Sequence, residues 1–314
     1  MGVVEWLISS VRELYSDCCL TARDWRRVNE GLVKRGEILL DLRILDRWDS
    51  ELERMNARKE GGRYVYPEIF VKLLGYVHLL FHLPYRQTEG FLKALRRFDS
   101  RIHVPDYSTI DRRVNRLNVK LDEEDYGNDL VIAVDASGVK VSNRGDWMRR
   151  RWKIRRGYLK IHIAVDVKRK KILALEVTDE KVGDERMLQP LVEEASRKGK
   201  IAKAIGDGAY DTKSNFRYLD GKKIEPVIKV RRDASRRAGG CVPRKLVAQE
   251  YLRNPEAWKH RHGYGQRWMV ETVFSTFKRT FGEYVSAKTM HNMANEIILK
   301  ASLYNLLTGL TANP

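Results

Sequence analysis

The order of the elements predicted for the second half of the chain constrains its fold more than any other feature. Residues 130–142 (LVIAVDASGVKVS) begin with an apolar run typical of a buried strand, which we expect to end at Asp135. Residues 158–179 predict a hairpin of two strands around a Lys- and Arg-rich turn that contains Asp166. A helix, a short strand (AKAIGD), a helix, a strand (KIEPVIKV) and a long C-terminal helix follow. This order is typical of an α/β fold with a mixed sheet.

Two aspartates are predicted at strand ends within this order. Asp135 closes the first strand, and Asp207 ends the short strand AKAIGD. Because ligands of α/β sheets bind beside the carboxyl ends of strands, the two side chains could converge. An aspartate at such a position is more often only a turn or cap residue, the role that we expect for Asp211 before the next helix.

Residues 264–278 (YGQRWMVETVFSTFK) predict a helix with an unusual polar strip. Tyr264, Arg267, Glu271 and Lys278 stand at offsets 0, 3, 7 and 14, so at about 100° per residue they fall within a strip about 60° wide. The apolar residues fall on the adjoining face. A solvated charged face is the simpler interpretation, but such a face has no need of a tyrosine. The strip therefore predicts a surface directed at a ligand.

The first 125 residues predict only helices. Thr88 to Phe98 and Ser108 to Leu117 are separated by a turn that contains Pro105. Two short helices joined in this way, the second rich in arginine, are compatible with a DNA-binding helix-turn-helix, in which Arg112 and Arg113 would contact DNA. The alternative is that they are simply part of a helical bundle.

The charge of the chain favours a nucleic-acid partner. The 314 residues include 60 Lys and Arg against 42 Asp and Glu, a net charge of +18. The longest apolar stretch is interrupted by Lys72 and His78, so we expect no membrane span. Three cysteines without a CxxC pair favour the reducing cytoplasm and argue against a structural zinc site.

A segment of alternating basic and aromatic residues predicts a further DNA contact at residues 143–160. Basic groups neutralise phosphates and aromatic rings stack on bases. The alternative is a solvated hairpin loop. A second basic loop, Arg231 to Lys245, would either contact DNA or be a flexible surface. The candidates in the first segment are Arg149, Arg150, Arg151, Trp152, Arg155 and Arg156.

Three stretches together resemble one protein family. The spacing Tyr264-x2-Arg267-x3-Glu271-x6-Lys278 matches the signature of a large group of bacterial and archaeal insertion-sequence transposases of the DDE type. VIAVDAS and GDGAYD are similar to that family's two aspartate motifs, and VPDYSTIDRRVNRL resembles its helical DNA-binding segment. The resemblance implies a ribonuclease H-like catalytic domain at residues 126–314, preceded by an α-helical DNA-binding region at residues 1–125.

The resemblance also implies a function. Asp135, Asp207 and Glu271 would be the catalytic and metal-binding triad, with two Mg²⁺ or Mn²⁺ ions, in DNA strand cleavage and strand transfer at the ends of an insertion sequence. Three neighbouring carboxylates repel one another unless a cation neutralises them, and these ions prefer oxygen ligands. Arg267 and Lys278 would hold phosphates, and Tyr264 would bind a phosphate or pack beside the DNA. The partner would be double-stranded DNA, both element ends and target, bound by a homodimer.

Other interpretations remain open from the sequence. A regulator or decayed transposase would bind element ends without cutting them, and a repair nuclease of the same fold would explain the carboxylates but not the polar strip. Asp184 and Glu185 could bind metal, although acidic residues also suit a helix start. The 64 residues from Asp207 to Glu271 leave room for only a strand, a loop and a short helix. Some relatives carry a large β-rich insertion here, and the chemistry of that insertion is therefore not expected of this chain.

Overall fold

The chain is built around a mixed five-stranded sheet. The computed structural model describes residues 25–37, 42–121, 125–141, 158–231, 234–235, 237 and 239–311. The strand order is β3-β2-β1-β4-β5, with β2 antiparallel to both β1 and β3 while β4 is parallel to β1 and β5. The α/β fold predicted from the sequence, a mixed sheet flanked by helices and preceded by a helical region, is confirmed. The strands are β1 (Leu130–Lys140), β2 (Tyr158–Asp166), β3 (Ile172–Asp179), β4 (Ile201–Gly206) and β5 (Glu225–Ile228).

Helices cover both faces of this sheet. Ile132, Ala133 and Val134 are consecutive in β1 and all fully buried, although successive side chains of a strand point to opposite faces. The helices are α1 (Trp25–Glu37), α2 (Trp48–Asn56), α3 (Glu68–Leu80), α4 (Tyr85–Leu95), α5 (Tyr107–Val114), α6 (Leu188–Ser196), α7 (Lys213–Gly221), α8 (Val242–Arg253), α9 (Pro255–His262), α10 (Trp268–Phe281) and α11 (Met290–Thr311). Helix α6 packs on β2 and β3, and α10 on β1 and β2. No helix in the described part of the chain has the length and apolarity to cross a membrane.

Helix α11 connects the sheet to the N-terminal helices. Its Asn305 side chain donates to the carbonyl of Ile172 and accepts from the amide of Ile172, both at 2.8 Å. A Cβ added to Gly75 of α3 would lie 2.8 Å from the Leu299 side chain of α11, so the absence of a side chain at Gly75 lets the two helices approach closely. The core is therefore continuous from the N-terminal helices to the sheet.

Strand β1 is longer than the sequence predicted, and Asp135 lies inside it rather than at its end. The reason is its antiparallel partner, because residues Ala136 to Lys140 pair with β2 down to Tyr158. The parallel partner β4 pairs with β1 only as far as Ala133. The hydrogen-bonded pairing of β1 with β4 therefore stops just before Asp135, so Asp135 still lies next to the carboxyl end of β4.

The region between Asp207 and Glu271 holds more helix than predicted. Besides α7 and β5, it contains α8 and α9, so the predicted basic loop at Arg231–Lys245 already enters α8 at Val242. The predicted cap was wrong too, because the side chain of Thr212 caps α7 by accepting from the Asn215 amide. Asp211 instead forms a buried ion pair with Arg244 of α8.

Candidate active site

Asp135 lies on β1 with a largely buried carboxylate. Its side chain is 22% exposed and accepts a hydrogen bond of 2.8 Å from the Ala136 amide. Burial raises the pKa of Asp135 above its usual value, and the charges of Asp207 and Glu271 raise it further. The Ala136 amide and Arg267 act in the opposite direction without cancelling the shift. The three carboxylates, here called the carboxylate cluster, are thus close enough to interact.

Asp207 is placed by the turn that follows β4. Its side chain accepts from the Ala209 amide at 2.8 Å and caps a 3₁₀ helix at Gly208–Tyr210. The cap fixes the carboxylate at the carboxyl end of β4, beside the central strand β1. Short polar side chains commonly cap turns in this way, so the hydrogen bond alone indicates no catalytic role.

The polar segment Tyr264–Lys278 is two elements rather than the single helix predicted. A 3₁₀ helix spans Tyr264–Arg267, and α10 begins at Trp268. Since a 3₁₀ helix has three residues per turn, Tyr264 and Arg267 still project from the same face. The predicted apolar face of α10 is buried, as expected: Met269, Val270, Val273, Phe274, Phe277 and Phe281.

Arg267 links two members of the carboxylate cluster. Its guanidinium group lies 3.4 Å from Asp135 and forms an ion pair with Glu271 one helical turn away. Burial lowers the pKa of Arg267, but Tyr264, Glu271 and Asp135 outweigh it and the pKa is raised. Arg267 therefore stays charged and is the cation nearest to the cluster in the described structure.

Tyr264 stands beside the same charges. Its ring is tilted against Trp258 at 5.5 Å between centroids, and burial raises its pKa to about 12. The charges of Asp207 and Asp135 contribute to that shift, so the phenol lies near both aspartates. At neutral pH the hydroxyl remains protonated and can donate a hydrogen bond.

Lys278 lies two turns beyond Glu271 on α10 and does not join this arrangement. It is half-buried, and within the described residues it has no hydrogen-bond or ion-pair partner. Its ammonium group is therefore available for an external anion.

The cluster suits a hard divalent cation, because its donors are carboxylate oxygens, which such ions prefer as ligands. In the described part of the chain, no three Asp, Glu, His or Cys side chains are arranged so that they could hold a metal ion together. Asp135 and Glu271 are instead held by Arg267.

The predicted DNA contacts on α5 differ from each other. Arg112 is exposed, whereas Arg113 is half-buried, with its guanidinium 4.7 Å from the Tyr64 ring and donating to the Tyr66 carbonyl at 3.2 Å. The candidate contacts in the basic and aromatic segment lie outside the described residues: Arg149, Arg150, Arg151, Trp152, Arg155 and Arg156.

Two buried polar residues beside the cluster, His162 and Tyr210, are not among the predicted site residues. Tyr210 ends the turn capped by Asp207, and its pKa is raised by burial first and then by Asp135, Asp184 and Asp207. The signals in the sequence are a tyrosine between two aspartates in GDGAYD and a histidine within the apolar strand KIHIAV.

Comparison with known proteins identifies the family. A transposase DDE domain model matches residues 126–306, more than half of the chain, and a second transposase DDE domain model matches residues 33–144. Among solved structures, the chain is similar to a chain of the simian T-cell lymphotropic virus intasome in complex with the PP2A regulatory subunit B56 gamma, at 12% identity and a TM-score of 0.26. The similarity covers 63% of this chain and 65% of that chain's length. The domain match shows that the protein belongs to the DDE transposase family.

Proposed function

We propose that the protein cleaves DNA at the ends of an insertion sequence and transfers the freed strand to target DNA. The observation that carries the proposal is that Arg267 contacts both Asp135 and Glu271, while the charge of Asp207 also acts on Asp135. The net charge of +18 supports DNA as the substrate.

The proposed cofactor is Mg²⁺ or Mn²⁺, held by Asp135, Asp207 and Glu271. When bound, such ions supply Lewis-acid stabilisation of the attacking and leaving oxygens in phosphodiester transfer. Burial and the charges of Asp207 and Glu271 both disfavour a negative charge on Asp135. A bound cation would offset this cost, which favours metal binding.

Arg267, Lys278 and Tyr264 would position the DNA backbone. Arg267 has a guanidinium fork suited to phosphate, and its contacts with Asp135 and Glu271 put that fork next to the proposed reacting phosphate. Lys278 offers a second positive charge. Tyr264 would donate its hydroxyl proton to a phosphate oxygen, since its pKa of about 12 keeps it protonated. Two element ends would be joined by a homodimer.

The test is a nicking and strand-transfer assay with Mg²⁺ and the inverted repeats that flank the reading frame. Asp135→Ala, Asp207→Ala and Glu271→Ala should each abolish both reactions while DNA binding survives. Glu283→Ala, an exposed carboxylate paired with Lys140, is the matched control and should retain activity. Undiminished cleavage by Glu271→Ala would refute the triad. Binding without cleavage by the wild-type protein would favour the alternative, a DNA-binding regulator.

A further inference from the structure

A second polar cluster lies next to the carboxylate cluster. Asp184 begins a short 3₁₀ turn at Asp184–Arg186, and its Oδ1 accepts a hydrogen bond of 2.9 Å from Lys160 of β2. Lys160 also donates to the Val182 carbonyl at 3.0 Å. The charge of Asp184 is thus balanced by Lys160.

The Nδ1 atom of His162 faces Asp184 and has no hydrogen-bond partner in the described structure. The Thr178 hydroxyl donates to the Asp179 carbonyl at 3.1 Å, so it accepts from His162 Nε2 at 2.8 Å. Burial lowers the pKa of His162, so the ring is neutral and its Nδ1 is an acceptor. This Nδ1 is fully buried, has no hydrogen-bond partner in the described structure, and lies 3.8 Å from Asp184 Oδ1. Two acceptors therefore face each other.

The Tyr210 hydroxyl is a second buried group without a partner. Tyr210 is 1% exposed, and its hydroxyl makes no hydrogen bond within the described residues. The turn at Gly208–Tyr210 packs against the turn at Asp184–Arg186. The charges of Asp135, Asp184, Asp207 and Arg267 all act on the phenol. A buried polar atom left unpaired destabilises the folded state, so native proteins usually satisfy it with an ordered water.

Hydrogen bonds from Asn215 connect the turn that begins at Asp184 to the turn that ends at Tyr210. The buried side-chain amide of Asn215 donates to the Glu185 carbonyl at 2.9 Å and to the Tyr210 carbonyl at 3.2 Å. The Asp184 turn therefore cannot shift without disturbing the turn that Asp207 caps.

We propose that Asp184 is a positioning residue for the carboxylate cluster, acting through one buried water molecule and the Tyr210 hydroxyl. The water donates one hydrogen to Asp184 and one to His162 Nδ1, and accepts from Tyr210. This network holds the turn of Asp207 and the flank of Asp135 in the orientation that receives a divalent cation. The inference rests on the proposed function, because it assumes that the cluster binds metal.

The experiment compares full-length wild-type protein with Asp184→Asn and Tyr210→Phe. Asp179→Asn is the control, since it makes the same change on the same segment away from Tyr210. Mn²⁺ alone is titrated calorimetrically, and kcat and KM for nicking are measured with Mg²⁺. We expect Mn²⁺ affinity to fall about 10- to 100-fold in both variants, as is typical when a residue that orients metal ligands is lost. The value of kcat should fall while KM for DNA stays unchanged, and Asp179→Asn should match the wild type.

Tyr210→Phe separates positioning from a structural role. It keeps the ring and removes only an unpaired hydroxyl, so a structural role predicts an equal or higher Tm and unchanged Mn²⁺ affinity. If Asp184→Asn fails to fold, Tyr210→Phe decides alone. Unchanged Mn²⁺ affinity would overturn this inference while leaving the triad intact, provided that Glu271→Ala still loses nicking. A wild-type protein that binds no Mn²⁺ and does not nick DNA would overturn the proposed function as well.

Discussion

The guanidinium group of Arg267 lies 3.4 Å from the carboxylate of Asp135 and also pairs with Glu271. A side chain thus acts as the cation of the carboxylate cluster in the described structure. This arrangement stabilises the negative charges of Asp135 and Glu271 in the absence of DNA and metal. It also means that Arg267 competes with a divalent cation for the same oxygens, and that a DNA phosphate which binds Arg267 would release them.

Replacement of Arg267 by alanine should therefore strengthen metal binding while it weakens the reaction. Without the guanidinium, like charges face one another, and affinity for Mn²⁺ in the absence of DNA should rise on the order of tenfold. Nicking of DNA should fall, because a phosphate contact is lost. Calorimetric titration and the nicking assay measure the two effects. Arg279→Ala, an exposed arginine on the same helix, is the control, and weaker Mn²⁺ binding by Arg267→Ala would contradict the competition.

The neighbouring arginines of α5 offer a matched test of DNA binding. Arg112 is exposed, so Arg112→Ala should weaken DNA binding for all sequences and reduce the slope of log K against log salt by about 1. Arg113 is held by the Tyr64 ring and the Tyr66 carbonyl, so Arg113→Ala should mainly lower the Tm. Equal effects of both substitutions on the salt slope would show that the burial of Arg113 does not decide its role.

The succession of strands along the chain could be predicted, because each buried strand is a local apolar run bounded by polar turns. The position of Asp135 within β1 could not, because it depends on pairing with Tyr158 and its neighbours, which are distant in sequence. The cap of α7 was missed for a similar reason. Asp211 and Thr212 are both good capping residues, and the choice between them depends on Arg244, 33 residues away.

The candidate site was predictable only in part. The i, i+4 spacing of Arg267 and Glu271 predicts their contact within a helix, whereas the contact of Arg267 with Asp135 requires the packing of α10 on β1. The roles of Tyr264 and Lys278 remain proposals. His162 and Tyr210 were not predicted, because each is distinguished by one buried polar atom without a partner in the described structure, which GDGAYD and KIHIAV do not reveal.

His162 should make the protein less stable in mild acid. Its pKa is lowered in the folded state, chiefly by burial and also by Lys160, while Asp184 acts in the opposite direction. The unfolded chain therefore takes up the proton first as the pH falls through about 6.5, and folding loses at most about 1.4 kcal/mol per pH unit from this group. The loss should continue until the pH reaches the lower pKa of the folded state.

The measurement for His162 is urea unfolding between pH 7.5 and 5.5. His162→Gln cannot titrate, so its free energy of unfolding should fall less steeply with decreasing pH than that of the wild type. Half-buried His78, whose pKa is also lowered by burial, leaves part of the slope in place. His260→Gln, an exposed histidine, should keep the wild-type slope. If the free energy of unfolding of the wild type and of His162→Gln fell equally steeply with decreasing pH, His162 would not be the group that lowers stability in mild acid.

The ion pair of Asp211 and Arg244 should be a major determinant of stability near the site. Arg244 binds both carboxylate oxygens, at 2.6 and 2.9 Å, and the Asp211 side chain is fully buried and also accepts from the Arg231 amide. Arg244→Ala leaves this carboxylate without its cation and should cost about 3–5 kcal/mol in chemical denaturation. The double variant Asp211→Asn, Arg244→Ala should recover part of the loss, because no buried charge remains. Arg253 of α8 is exposed, so Arg253→Ala is the control. If Arg244→Ala cost no more stability than Arg253→Ala, the ion pair would contribute little.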